Sequence, residues 1–203
     1  MKTYIQLFLL FILPIVFLIP EKIPSLLKGA TLILVIAITV FISIKEKLSA
    51  KELGFRTDNL KQSFVPYGVF TLTAVLVVIL LSNLLHKQPL SQWWTYSHLQ
   101  WGFLPISFVQ EFIYRSFAQT KLQKIMKPIW AILVATILYS FIHVLWKDPL
   151  ILALSFAGGI GFGYLWYKYP NLYLLTISHA ILNFLIIYLG FFPWLITSFF
   201  NLH

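Results

Sequence analysis

The chain has 203 residues, 60% of them hydrophobic and only 10% charged, with a mean hydropathy of +0.86. Soluble domains carry about 25% charged residues, so this composition excludes an ordinary soluble globule and a disordered tail. The absence of cysteine excludes a disulfide framework, a thiolate metal site and a thiol nucleophile. The formal net charge of +9 raises nucleic-acid binding as a possibility, which the placement of the charges decides.

Seven apolar runs follow one another along the chain: Tyr4–Ile19, Ala30–Ile44, Tyr67–Leu85, Trp101–Ala118, Ile129–Trp146, Leu150–Tyr167 and Leu172–Gly190. Each approaches or reaches the roughly 20 residues that cross a bilayer as a helix. Phe191–Phe200 is a shorter eighth run interrupted by Pro193, a short span or an interfacial segment. Turn residues separate the runs at Pro20, Pro24, Pro66, Pro89, Pro128, Pro149 and Pro170-Asn171. The expected fold is an all-α polytopic transmembrane helical bundle of seven to eight spans. It forms a single integral membrane domain over 1–203, with 45–63 as a polar cytoplasmic connector. The first run follows Lys2, but Ile19-Pro20-Glu21-Lys22 is a poor cleavage site, so it reads as a retained span rather than a signal peptide. Trp93-Trp94, Trp101 and Trp194 lie near span ends, as interfacial aromatic residues do.

Lysine and arginine placement sets the orientation. With the N-terminus in the cytoplasm, the inside segments hold Lys2, Lys45, Lys47, Lys51, Arg56, Lys61, Lys121, Lys124, Lys127 and Lys168; the outside segments hold Lys22, Lys28, Lys87 and Lys147. The basic balance is therefore mainly an orientation signal. No basic patch interleaved with aromatics marks a nucleic-acid site, while Lys45–Lys61 can also meet anionic headgroups of the lipid bilayer.

Few ionisable groups remain inside the runs. Of six acidic residues only Glu111 is there, of fifteen basic residues only Arg115, and of five histidines only His143 and His179; His86 and His98 flank runs and His203 ends the chain. Such groups cost about 3 kcal/mol or more in a span and mark functional sites by default. Glu111 and Arg115 are four apart and share a helix face, as do His179 and Asn183. Gln110 is rotated by about 100° from Glu111. One carboxylate, two imidazoles and an amide can relay protons, activate water or bind a metal. Each group also has a structural reading. Glu111–Arg115 can be a buried ion pair, His143 a packed histidine on a carbonyl, and His179 with Asn183 polar glue worth about 0.6 kcal/mol per hydrogen bond. Gly158-Gly159-Ile160-Gly161-Phe162-Gly163 follows no strand; Gly159 and Gly163 read as a close helix-packing pair rather than a phosphate loop.

In order, these residues resemble the CPBP family of CAAX prenyl proteases and bacteriocin-processing proteins, also called Abi. The family carries three motifs on separate helices. Gln110-Glu111-Phe112-Ile113-Tyr114-Arg115 resembles its Glu-Glu-x-x-x-Arg, with Ser116 where Gly is frequent. Tyr139-Ser140-Phe141-Ile142-His143 resembles its Phe-x-x-x-His, with Tyr139 for Phe. His179-Ala180-Ile181-Leu182-Asn183 fits its His-x-x-x-Asn in full. The resemblance covers a motif-bearing core of about 99–184, with Leu53-Gly54-Phe55-Arg56 as a weaker likeness upstream. It implies an intramembrane endopeptidase acting on a membrane-associated peptide or protein. In the family the first glutamate and the second-motif histidine activate water, and the third-motif histidine and asparagine stabilise the oxyanion. These roles pass to His143, His179 and Asn183, with Glu111 and Arg115 holding the site. Glu111, His143 and His179 are also the candidate ligands if a zinc ion takes part.

Gln110 departs from the pattern, because an amide cannot serve as a general base. Three readings follow. Glu111 takes the base role; His143 takes it, with Gln110 positioning water; or the chain is a non-catalytic scaffold for a membrane partner. A proton-coupled transporter ranks below these, since no inverted repeat is visible in the hydropathy. Along straight helices Glu111 and His179 lie on the order of 13 Å from the cytoplasmic ends and His143 roughly 22 Å. Tilt, or a kink near Pro105 or Pro128, must therefore close the gap.

Overall fold

The computed structural model describes residues 3–19, 24–91, 93 and 102–191, and these fold as helices joined by short turns, with no strand among them. The eighth run beyond Phe191, together with Lys2, Lys22, Trp94, His98, Trp101, Trp194 and His203, lies outside the described residues.

Seven helical segments correspond to the seven runs. α1 covers Thr3–Leu18, α2 Ser25–Lys45 and α3 Leu60–Leu84. α4 runs from Phe103–Glu111 through a π-helical stretch, Phe112–Gln119, into Thr120–Gln123. α5 is Pro128–Phe141, tightened into a 3₁₀ turn over Ile142–Trp146; α6 is Pro149–Lys168 and α7 is Leu172–Tyr188. Four of these helices, α2, α3, α5 with its 3₁₀ turn, and α6, are long and apolar enough to cross a membrane. α1 and α7 are apolar but shorter.

Pro66 does not divide the chain as the sequence suggests. It sits inside α3, which begins at Leu60. Proline this close to a helix start forfeits one backbone hydrogen bond, here to the Gln62 carbonyl, without ending the helix. Pro128 opens α5, where its missing N–H costs nothing, and Pro105 falls in the first turn of α4. Neither kinks a helix in mid-course. The departures from regular α-geometry are instead the π stretch beside Glu111 and the 3₁₀ turn that carries His143, the kind of irregularity often found at functional sites.

α4 is the hub. Every residue from Glu111 to Leu122 is buried, including Arg115, Ser116, Gln119, Thr120 and Lys121. Its polar side chains therefore face other helices rather than the outside of the bundle. α7 packs on α3 and on the first part of α4; α5 packs on α6 and on the π stretch.

The turns that set these contacts have clear local causes. Lys147 ends the 3₁₀ turn in the left-handed region at φ 52°. Asp148 then caps α6, accepting hydrogen bonds from the Leu150 and Ile151 amides at 2.8 and 3.2 Å, and Pro149 occupies the first turn. Asn171 caps α7 by accepting from the Leu174 amide at 3.0 Å. Its own amide donates to the Arg56 carbonyl and to Asn59 Oδ1, both at 2.8 Å. The connector between α2 and α3, shorter than the expected 45–63 because α3 begins at Leu60, thereby fixes where α7 starts. Within it Gly54 adopts φ 76° and accepts the Leu172 amide at 2.8 Å, and Leu53 O accepts Ser116 Oγ at 2.6 Å. Phe55 packs against Phe108, Phe112 and Tyr173. The Leu53-Gly54-Phe55-Arg56 segment is thus a clamp between α4 and α7.

Candidate active site

Glu111 is the last residue before the π stretch and is 1% exposed. Its Oε1 lies 2.5 Å from His179 Nδ1 on α7, which is 2% exposed. A carboxylate can only accept, so the proton between them belongs to Nδ1. This leaves His179 Nε2 facing the other way, where Tyr139 Oη lies at 3.2 Å.

Glu111 Oε2 faces Arg115 Nε at 3.8 Å, an ion-pair distance but too long for a hydrogen bond. The i,i+4 pair expected from the sequence is present as a charge contact. The guanidinium directs its hydrogen bonds elsewhere: to the Gly159 carbonyl at 2.8 Å and to Gln119 Oε1 at 3.1 Å. Gln119 in turn donates to the Gly163 carbonyl at 2.7 Å. Both acceptors are helix carbonyls of α6, reachable because no side chain intervenes. A Cβ on Gly159 would come within 2.8 Å of Thr136 Cγ2, and one on Gly163 within 2.9 Å of Ile132 Cγ2. The glycine pair therefore serves close packing against α5 and also admits the two polar side chains of α4.

His143 lies one turn beyond Tyr139, and its Nδ1 is 3.1 Å from the Tyr139 carbonyl. A carbonyl accepts only, so Nδ1 carries hydrogen and donates. In the neutral ring Nε2 then has a free lone pair. Asn183 donates from Nδ2 to Ser107 Oγ at 3.1 Å, which leaves its second N–H uncommitted to that bond.

His143, His179 and Asn183 line one cavity of about 70 Å³, together with Tyr139, Ser155 and Gly158. That volume admits water. Glu111 and Gln110 are not among its lining residues. Gln110 Oε1 is buried with no hydrogen-bond partner among the described residues. Despite the straight-helix depth gap, His143 and His179 line the same cavity.

The zinc alternative fares less well. Among the described residues no three His, Asp or Glu side chains are grouped to hold a metal ion. Glu111 and His179 are directed at each other, so the ligand set of Glu111, His143 and His179 is not assembled.

Sequence reasoning missed three contributors. Tyr139 entered only as a replacement within a motif, Ser107 carried no signal, and Gln119 lay one turn past Arg115 without a recognisable partner. The i,i+4 spacing from Arg115 to Gln119 was the one available clue.

Residues 92–185 match the model of a protein family described as type II CAAX prenyl endopeptidase Rce1-like. The matched segment is a little under half of the chain, contains all three motifs and supports the CPBP family. No curated protein and no solved structure matches.

Proposed function

We propose that this chain is an intramembrane endopeptidase of the CPBP type that hydrolyses a peptide bond in a membrane-associated peptide or protein. The observation that carries this reading is the convergence of His143, His179 and Asn183, from two helices, on one water-sized cavity. His179 and Asn183 share one face of α7, and His143 reaches the same cavity from α5.

In this reading His143 is the general base. Its Nδ1 is committed to the Tyr139 carbonyl, so Nε2 is the basic position. A water held there gives its proton to Nε2 as its oxygen attacks the scissile carbonyl carbon. The same imidazolium later returns a proton to the departing amine. Asn183 donates its second N–H to the oxyanion, with Ser107 fixing the amide rotamer. His179 faces the site through Nε2, which Tyr139 Oη contacts at 3.2 Å. Glu111 holds the His179 tautomer, and Arg115 balances the Glu111 charge.

The full bundle completes the proposal. All seven helices span the membrane in one domain, with the N-terminus and the 45–63 connector in the cytoplasm. α7, with 17 residues, meets the lower limit of about 17 for a span.

The test uses the purified chain in proteoliposomes with an internally quenched peptide ending in a prenylated CAAX sequence. Cleavage by the wild type and its loss in His143→Ala is the expected result. Cleavage that persists in His143→Ala, or no cleavage by the wild type, overturns the assignment.

A further inference from the structure

Position 139 carries tyrosine where the resembled motif carries phenylalanine. The side chain is 5% exposed. Its ring packs edge-on against His143 and His179, with centroids 4.9 and 5.7 Å apart, and Arg115 lies over its face. A phenylalanine ring fills the same volume and makes the same ring contacts. The hydroxyl is therefore an addition that packing does not require, and burying it is unfavourable unless it is hydrogen-bonded.

Its partner is His179 Nε2, at 3.2 Å. The sequence Glu111 carboxylate, His179 imidazole, Tyr139 hydroxyl is thus continuous. With His179 neutral, Nδ1–H donates to Glu111 and Nε2 accepts the Tyr139 O–H. With His179 protonated and paired with the Glu111 carboxylate, Nε2–H donates to Tyr139 Oη and the phenolic O–H is released. In both states Tyr139 covers the nitrogen through which His179 would otherwise reach a substrate.

We propose that Tyr139 is a further catalytic residue, whose hydroxyl, backed by His179 and Glu111, donates the hydrogen bond to the scissile carbonyl oxygen as negative charge develops there. No bond to Tyr139 forms or breaks: with Nε2–H donating to Oη, the released O–H takes the carbonyl oxygen as its acceptor, and no proton is transferred. Tyr139 lines the cavity with His143 and Asn183, so its hydroxyl and the free Asn183 N–H serve the same oxygen. The proposal rests on the endopeptidase reading above and assigns the oxyanion contact within it to a residue that departs from the resembled motif.

The deciding experiment compares wild type, Tyr139→Phe and His143→Ala in the proteoliposome assay, with thermal unfolding measured on each. Loss of one oxyanion donor lowers kcat by about 10²-fold. The expected result for Tyr139→Phe is that fall in kcat, with KM within about twofold of wild type and an unchanged melting temperature. Wild-type kcat in Tyr139→Phe, alongside an inactive His143→Ala, overturns the role of Tyr139 and leaves the endopeptidase reading standing. A wild type that cleaves nothing overturns both. Should Tyr139→Phe melt early, incorporation of a ring-fluorinated tyrosine at 139 keeps the shape and makes the hydroxyl a stronger donor. A kcat that differs from wild type at fixed pH supports the proposal, and an unchanged kcat overturns it.

Discussion

His179 holds its Nδ1 2.5 Å from Glu111 Oε1 across 68 residues of sequence, and this contact orients the imidazole that lines the cavity. A buried carboxylate on one ring nitrogen fixes both the tautomer and the direction in which the other nitrogen points. Glu111 thereby acts behind His179 rather than in the cavity.

Glu111→Gln tests that relationship. The glutamine carbonyl can still accept from Nδ1, so the fold persists, but the carboxylate charge beside His179 is gone. Catalytic acid–base contributions are worth about 10²–10⁴-fold. We expect kcat in the peptide assay to fall within that range while KM changes little. A kcat within threefold of wild type would show that the carboxylate charge is irrelevant to His179.

Arg115 is fully buried, and its partners lie on its own helix, Glu111, and on α6, the Gly159 carbonyl. Removing one member of a buried ion pair costs about 3–5 kcal/mol, because the other charge is left uncompensated. Arg115→Met should lower stability by about that much in detergent unfolding. Arg115→Lys should also be impaired, since an ammonium lacks the planar fork that reaches Gly159 O and Gln119 together. A Met variant as stable as wild type would refute a stabilising ion pair between Arg115 and Glu111.

The helical runs were legible in the sequence because hydropathy alone defines them, and the three motifs stood out because ionisable residues are rare in such runs. Boundaries were less legible. Pro66 reads as a break, yet tertiary packing carries α3 through it. Glu111–Arg115 was visible from its i,i+4 spacing, but local spacing could not show that Arg115 directs its hydrogen bonds to α6. Contacts between distant segments carry no periodicity, so Glu111 with His179, Tyr139 with His179, and Lys121 with Gln6 and Glu46 emerge only from the fold. The glycine pair was legible as packing; its second use, exposing carbonyls to Arg115 and Gln119, depends on how α4 packs against α6.

Gly159→Ala and Gly163→Ala separate packing from helix propensity. Each added methyl meets α5 side chains below 3.0 Å, and overpacking of this kind costs about 1–3 kcal/mol. Both variants should melt below wild type, and Gly159→Ala should also displace Arg115, whose NH2 would lie 3.2 Å from the new carbon. Gly68→Ala in α3 meets nothing within 4 Å and is the control. It should be neutral or stabilising by up to about 1 kcal/mol. Equal effects at all three positions would refute the packing argument.

Gln110→Glu separates the endopeptidase from the non-catalytic scaffold. Gln110 lies outside the cavity lining, and its Oε1 is buried without a partner among the described residues. A carboxylate placed there gains no contact with the water site and adds an uncompensated charge next to Glu111. Cleavage should stay at or below the wild-type rate, with a lower melting temperature. An inactive wild type that becomes active on this single change would favour the scaffold reading.

Lys121 closes α4 against two other elements. Its Nζ lies 2.5 Å from Glu46 Oε2, just past the end of α2, and is also hydrogen-bonded to Gln6 of α1. Burial pushes the Glu46 carboxyl up, but the hydrogen bonds from Lys121 and Gln6 outweigh it and hold the group below its ordinary value of 4.5. The folded chain therefore binds this proton less tightly than the unfolded chain does. The resulting stabilisation is complete above the ordinary carboxylate pKa and is lost as pH falls through the lower, folded value. Glu46→Gln should accordingly melt below wild type at pH 7. The gap should narrow as pH drops below about 4.5, because the wild type then loses what the variant never had. Glu52→Gln is a comparison in the same connector, since its partner Lys124 is half exposed and such pairs contribute little. A gap between Glu46→Gln and wild type that stays constant from pH 7 to pH 3 would mean that Glu46 holds the helix ends by shape and not by charge.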